Sequence, residues 1–123
     1  MRSLRWLLPM LVIVLGPPAA APAAAHAILV ESTPAVDSTV AGPSVAFSLR
    51  YNSRIDKARS RLTLTAPDKS ETVLTISPDG PEDILASEAE LTPGAYRLRW
   101  QVLAIDGHIT RGDVRFTVTA SAQ

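Results

Sequence analysis

YRLRWQVLAIDGHITRGDVRFTV, residues 96–118, carries two runs in which every second residue is apolar. Tyr96, Leu98, Trp100, Val102 and Ala104 make the first, and Val114, Phe116 and Val118 the second. A period of two belongs to strands with one buried face, so the stretch predicts two strands joined by IDGHITRG. Gly107 in that connection frees the backbone to turn, and Asp106 and His108 on either side of it are set to reach for one point. The chain has two histidines. The other is His26.

What precedes His26 has the three parts of a secretory signal peptide. Arg2 and Arg5 give a positive start, WLLPMLVIVL (residues 6–15) an apolar run short for a bilayer span, and Gly16-Pro17-Pro18 leads into small residues ending Ala23-Ala24-Ala25. The expected organisation is a signal peptide over residues 1–25 and a single domain over residues 26–123. Cleavage after Ala25 releases His26. Ala25-His26-Ala27 also fits the small-x-small rule and would release Ile28, and Ala19-Ala20-Ala21 is a third match followed by Pro22. The first is favoured because the bulk of His26 fits poorly inside the recognised segment.

That cut removes 25 of the 123 residues and leaves 98, with 10 Lys/Arg against 12 Asp/Glu, about two negative charges in all. No basic field remains to attract nucleic acid. The absence of Cys excludes disulfides, thiolate metal sites and cysteine catalysis together. Both methionines, Met1 and Met10, fall in the leader, so the mature chain offers no sulfur ligand to soft Cu(I).

Working back from the hairpin, Ile84 to Leu91 suits a strand by length and neighbours, although Ala86, Glu88, Ala89 and Glu90 also suit a helix. Leu62 and Leu64 alternate with threonines and predict a strand whose hairpin partner is Thr72 to Ile76, across the turn Pro67-Asp68-Lys69-Ser70. Ser53 to Ser60 reads as a helical turn or a loop between sheets. Val45, Phe47, Leu49 and Tyr51 give a clear alternating strand, Pro34 to Pro43 a loop rich in turn formers, and Ala27 to Val30 a first strand. Seven short strands without a long helical pattern predict an all-β, antiparallel Greek-key sandwich of the immunoglobulin and cupredoxin-like kind, with Trp100 at its centre. Glu88 and Glu90 are read as a solvated face, and Arg50, Arg54, Lys57, Arg59 and Arg61 as solvated or paired with nearby acids.

An amino-terminal histidine chelates through its free amine and its near ring nitrogen. With the imidazole of His108 the chain offers three nitrogens, and the Asp106 carboxylate adds an oxygen. Three nitrogens and an oxygen in a square arrangement suit Cu(II), which heads the affinity order for such ligands, whereas Zn(II) prefers a tetrahedron. Strands on both sides are expected to make the site largely preformed. IDGH alone is a weak signal, because Asp-Gly is a common turn pair; the conjunction with a histidine beside a cleavage site is what carries the reading.

Taken together, the leader ending in Ala-His-Ala, LVESTPA, the strand with Phe47, and LTPGAYRLRWQVLAIDGHITRGDVRFTV resemble the CopC copper-binding proteins over essentially the whole mature chain. The resemblance implies a seven-stranded sandwich acting outside the cytoplasm in copper resistance or uptake. It also implies one Cu(II) per chain held by His26, Asp106 and His108, and a CopD-like membrane copper transporter as partner. Two departures matter: the mature chain lacks the methionine-rich Cu(I) site of some relatives, and Ser53 stands where some carry a glutamate ligand. The expected protein binds copper without catalysis. Its rivals are a copper-dependent oxygenase with an amino-terminal histidine, and an immunoglobulin-like interaction module with no metal.

Overall fold

The computed structural model describes residues 26–121; the expected signal peptide, residues 1–25, lies outside them. Eight strands form two sheets, and no helix occurs among the described residues. In chain order they are β1 (Leu29–Thr33), β2 (Ser38–Ala41), β3 (Ser44–Tyr51), β4 (Ile55–Thr65), β5 (Glu71–Leu74), β6 (Ile84–Glu90), β7 (Gly94–Ala104) and β8 (Ile109–Thr119). The smaller sheet has the order β1-β3-β6 and the larger β2-β8-β7-β4-β5. The predicted sandwich is therefore present, with one strand more than expected.

The added strand is β2, inside the segment read as a loop. It pairs parallel with β8, Ser38 facing Phe116 and Ala41 facing Thr119, in an otherwise antiparallel fold. Four residues between turn formers are too few to raise an alternating pattern above its surroundings, so only the long-range partner defines it. A second difference falls at Ser53 to Ser60, which is neither helix nor loop beyond Arg54. From Ile55 the chain is already in β4, with an irregularity between Asp56 and Arg61. Asp56 accepts a hydrogen bond from the Arg59 N–H (3.2 Å) and Ser60 Oγ donates to the Asp56 carbonyl (2.7 Å). Ser60 Oγ then accepts from the Leu103 N–H at 3.2 Å, replacing the ladder bond that the bulge removes. The strand expected from Ala27 starts at Leu29, and the IDGHITRG connection shrinks to residues 105–108 because Ile109 and Thr110 pair with Leu103 and Val102.

The inward faces fill the space between sheets. Phe47, Leu49 and Tyr51 from β3 and Leu85 from β6 meet Leu62, Leu98, Trp100, Val102, Val114, Phe116 and Val118, and every buried residue is apolar or aromatic. Phe116 stacks on Tyr96 and meets Phe47 edge-on, both with ring centroids 5.7 Å apart. Tyr96 donates its hydroxyl to the Thr92 carbonyl at 2.8 Å, the corner bond that ties such sandwiches back onto the preceding turn. Trp100 lies across Gly112, its partner on β8; a Cβ there would sit 2.4 Å from the indole, so the ring occupies the room that glycine leaves. Of the basic cluster, Arg50, Arg54 and Arg59 pair with Glu31, Glu82 and Asp56 at 3.3, 3.4 and 3.8 Å, all near the surface.

Candidate metal centre

Three segments meet at one end of the sandwich: the start of the described chain, the β3–β4 connection and the β7–β8 turn. The turn is fixed by its own sequence. The Gly107 N–H donates to the Ala104 carbonyl at 2.9 Å, and the Ala104 N–H to the His108 carbonyl at 2.8 Å. Gly107 takes φ 93°, a left-handed conformation that glycine adopts without steric cost, and lets β8 resume after a four-residue connection. Asp106 folds back inside this turn. One carboxylate oxygen accepts from the His108 N–H at 3.0 Å and the other lies 2.9 Å from His108 Nδ1.

That backbone N–H is the main reason the Asp106 carboxyl is held below the usual carboxylate range. The opposing cost of desolvation is smaller, and the His108 side-chain bond and the charges of His108 and His26 lower the carboxyl further. Asp106 is thus an anion at neutral pH. With Nδ1 turned to the carboxylate, His108 presents Nε2 outward, and its side chain is 57% exposed. A carboxylate that holds one imidazole nitrogen fixes the tautomer and ring orientation of a metal-binding histidine.

His26 arrives from the opposite sheet. Its ring lies edge-on to that of His108, with centroids 4.8 Å apart. Two bonds put it there. Thr110 donates its hydroxyl to the Ala27 carbonyl at 2.8 Å, across 83 residues of sequence. Asn52 grips Ile28 on both sides, accepting the Ile28 N–H at Oδ1 (2.8 Å) and donating its own N–H to the Ile28 carbonyl (3.0 Å). Between them Ala27 is buried at 1% exposure and belongs to the core. Sequence reasoning did not find Thr110, whose role depends on a partner at the far end of the chain. Nor does the alternating pattern that ends at Tyr51 reveal that Asn52 fastens the residue ahead of β1. Tyr51 lies inside, against Trp100, and Ser53 Oγ is buried without a hydrogen-bond partner.

The structure gathers His26, Asp106 and His108, but the expectation of a largely preformed site needs correction. Among the described residues no group of three or more His, Cys, Asp or Glu has the geometry of a formed metal site. Two features of the donor set bear on how it would close on an ion. Both Asp106 oxygens face His108, and in the full-length chain the His26 nitrogen is a peptide amide with no free amine to donate. The donor set still fits Cu(II): two imidazoles, a carboxylate with lone pairs to spare, and an amine once the chain is cut before His26. Exposed Ile28, Ile105 and Ile109 each stand within two residues of one of the three donors.

Comparison with known proteins bears on this site. The CopC domain family matches residues 29–119. Protein YobA of Escherichia coli K12 is 31% identical over 122 residues, covering 95% of each chain. Copper resistance protein C of Xanthomonas campestris pv. juglandis is 32% identical over 109 residues, covering 81% of this chain and 85% of its own. Among solved structures, CopC from Methylosinus trichosporium OB3b superposes with a TM-score of 0.72 at 25% identity, covering 80% of this chain and 98% of that one. PcoC, a methionine-rich copper resistance protein from Escherichia coli, gives 0.65 at 27% identity, covering 77% of this chain and 100% of its own.

Proposed function

The chain belongs to the CopC family, and from that premise we propose that it is an exported protein that captures or delivers one Cu(II) ion, held by His26, Asp106 and His108. The observation that carries the reading is the meeting of both histidines of the chain, from opposite sheets, beside the carboxylate of Asp106. His26 supplies its amine and near ring nitrogen, His108 supplies Nε2, and Asp106 keeps the imidazole oriented while offering a remaining lone pair to the ion.

Export rests on the leader pattern of residues 1–25, and the buried Ala27 supports a cut before His26. A chain starting at Ile28 would lose a core residue and leave the Thr110 hydroxyl without its acceptor. The described residues contain no Met or Cys, so the site is selective for Cu(II) over Cu(I), unlike a methionine-rich relative. The role is copper resistance or homeostasis in the cell envelope, and a CopD-like membrane copper transporter is the partner that family membership suggests. No catalytic turnover is assigned: Asp106 would offer the ion a carboxylate where oxygen activation would need an open position.

A native mass spectrum of the exported protein, with and without one equivalent of Cu(II), tests the cleavage site and the metal count together. The expected result is a chain starting at His26 that retains one copper and loses it in His108→Ala. A start at Ile28, or no retained copper, would end this reading. Sustained peroxide formation by the copper-loaded protein with a reductant would favour the oxygenase instead.

A further inference from the structure

The ten Lys/Arg of residues 26–123 are not spread evenly. Arg61, Arg97, Arg99, Arg111 and Arg115 sit at outward positions of the larger sheet, and Lys69 stands in the β4–β5 turn beside them. Glu71 and Asp113 lie among them on that face, Asp56 lies farther along β4, and Asp68 shares the turn with Lys69 but is bonded to Ser70, in a domain that is acidic overall. Asp113 is already 3.7 Å from Arg99, and Arg111 Nε donates to Gln101 at 2.8 Å. Glu71 faces Thr65 on the far side of β4. Among the described residues neither Arg97, Arg115 nor Lys69 makes an ion pair.

These three converge. An open cleft of about 400 Å³ is lined by Thr65, Pro67, Lys69, Tyr96, Arg97 and Arg115, with no carboxylate on its wall. Three unfavourable features coincide there. Arg97 and Arg115 are direct partners across β7 and β8, a like-charge pair that destabilises a sheet. Arg97 Nε is buried with no hydrogen-bond partner, a donor whose desolvation is uncompensated. Lys69 is held at φ 75°, where an unbranched cationic side chain has no intrinsic reason to be. An anion between the guanidinium groups relieves the first two and uses the third.

We propose that this cleft binds a phosphate group, with Arg97 and Arg115 as fork-like donors and Lys69 as a third positive charge. Seven residues of β7 separate Arg97 from Ala104 at the base of the metal turn, a distance of roughly 23 Å at strand spacing. The two sites therefore occupy opposite ends of the sandwich, and the phosphate site is independent of the copper reading. The chemistry is that of a soluble phosphate or of an anionic lipid headgroup, and the two sources differ in what they would do to the protein.

The test uses the purified, metal-free protein in sodium phosphate and in sodium chloride at matched ionic strength, followed by thermal unfolding. In parallel it is floated with phosphatidylcholine vesicles, with and without phosphatidylglycerol. A soluble ligand raises the midpoint in phosphate above that in chloride. A headgroup ligand gives flotation only with phosphatidylglycerol. In either case Arg115→Gln is expected to weaken the effect roughly ten-fold or more, the scale of one charge-assisted hydrogen bond. In chloride that variant should melt no lower than the parent, because it removes a repulsion. Lys69→Asn, which keeps a residue tolerant of positive φ, should weaken the effect while leaving the fold intact. No phosphate-specific shift and no phosphatidylglycerol-dependent flotation would overturn the site. So would an effect of equal size in the parent and in both variants, which is general charge screening.

Discussion

Tyr51 carries a hydroxyl that is buried in the packed centre of the molecule with nothing to bond. Its ring meets Trp100 edge-on at 5.4 Å, a favourable contact, yet its oxygen is buried without a partner. An orphaned hydroxyl of this kind costs about 1–3 kcal/mol, and its replacement by an apolar group of the same shape is neutral or stabilising. Burial also pushes the phenol far above its ordinary value of 10.0. The sign follows directly. Below that value both states are protonated and the full stability is present; above it the unfolded chain ionises while the folded one does not, so stability falls as pH rises. Tyr51→Phe is therefore expected to match or exceed the parent in urea at neutral pH. It should also lose less stability between neutral and strongly alkaline conditions, read from denaturation midpoints at each pH. A clear loss at neutral pH would mean that the hydroxyl has a partner in solution. Asp106 behaves in the opposite way: its carboxyl is depressed, so what its bonds to His108 contribute is complete above 3.8 and lost only as pH falls further.

Strand β1 is a tether. Its register with β3, from Leu29 opposite Tyr51 to Thr33 opposite Ser48, sets its position along the sheet, but Ala27 and Ile28 just ahead of it are hydrogen-bonded by Thr110 and Asn52 outside that ladder. Thr110→Val removes the hydroxyl that holds the Ala27 carbonyl and keeps the β-branched shape. It should lower Cu(II) affinity about 10- to 100-fold, the usual effect of losing a group that orients a ligand, without changing the far-ultraviolet dichroism. Isothermal titration reads the affinity; an unchanged value would show that β1 is positioned by its ladder only. Strands with long alternation, β3, β7 and β8, were legible in the sequence because each places its buried apolar residues on one face, at every second position. The turn around Gly107 was legible through its own chemistry. Hidden features were those defined by partners distant in sequence: β2, which exists by pairing with β8, the bulge closed by Ser60, and the Thr110 tether. Gly112 gave no sign of its purpose, since the need for it comes from Trp100 on the neighbouring strand.

At the scale of the molecule the candidate copper site joins two sheets. His26 leads into β1 of the three-stranded sheet, while Asp106 and His108 sit on the turn of the five-stranded one. An ion held by all three clasps the sandwich at one end. Binding to the folded state alone stabilises it by about 2.7 kcal/mol when free copper stands at a hundred times its dissociation constant. Thermal unfolding of the exported protein should therefore rise with Cu(II) in a concentration-dependent way, and His108→Ala should abolish the rise. A shift that survives in His108→Ala would place the metal elsewhere. Histidine is so scarce here, with two in the chain, that the sequence alone singled out the three residues that the fold brings near one another; it gave no sign of where the Asp106 oxygens turn. The 83-residue span between Thr110 and Ala27 also fixes an order of events. The β7–β8 hairpin closes over a few residues and is cheap in chain entropy, whereas bringing the first residues to it requires nearly the whole domain to be in place. His26 is therefore expected to reach Asp106 and His108 late in folding, so that under the proposed reading only a chain that has finished folding could hold the ion.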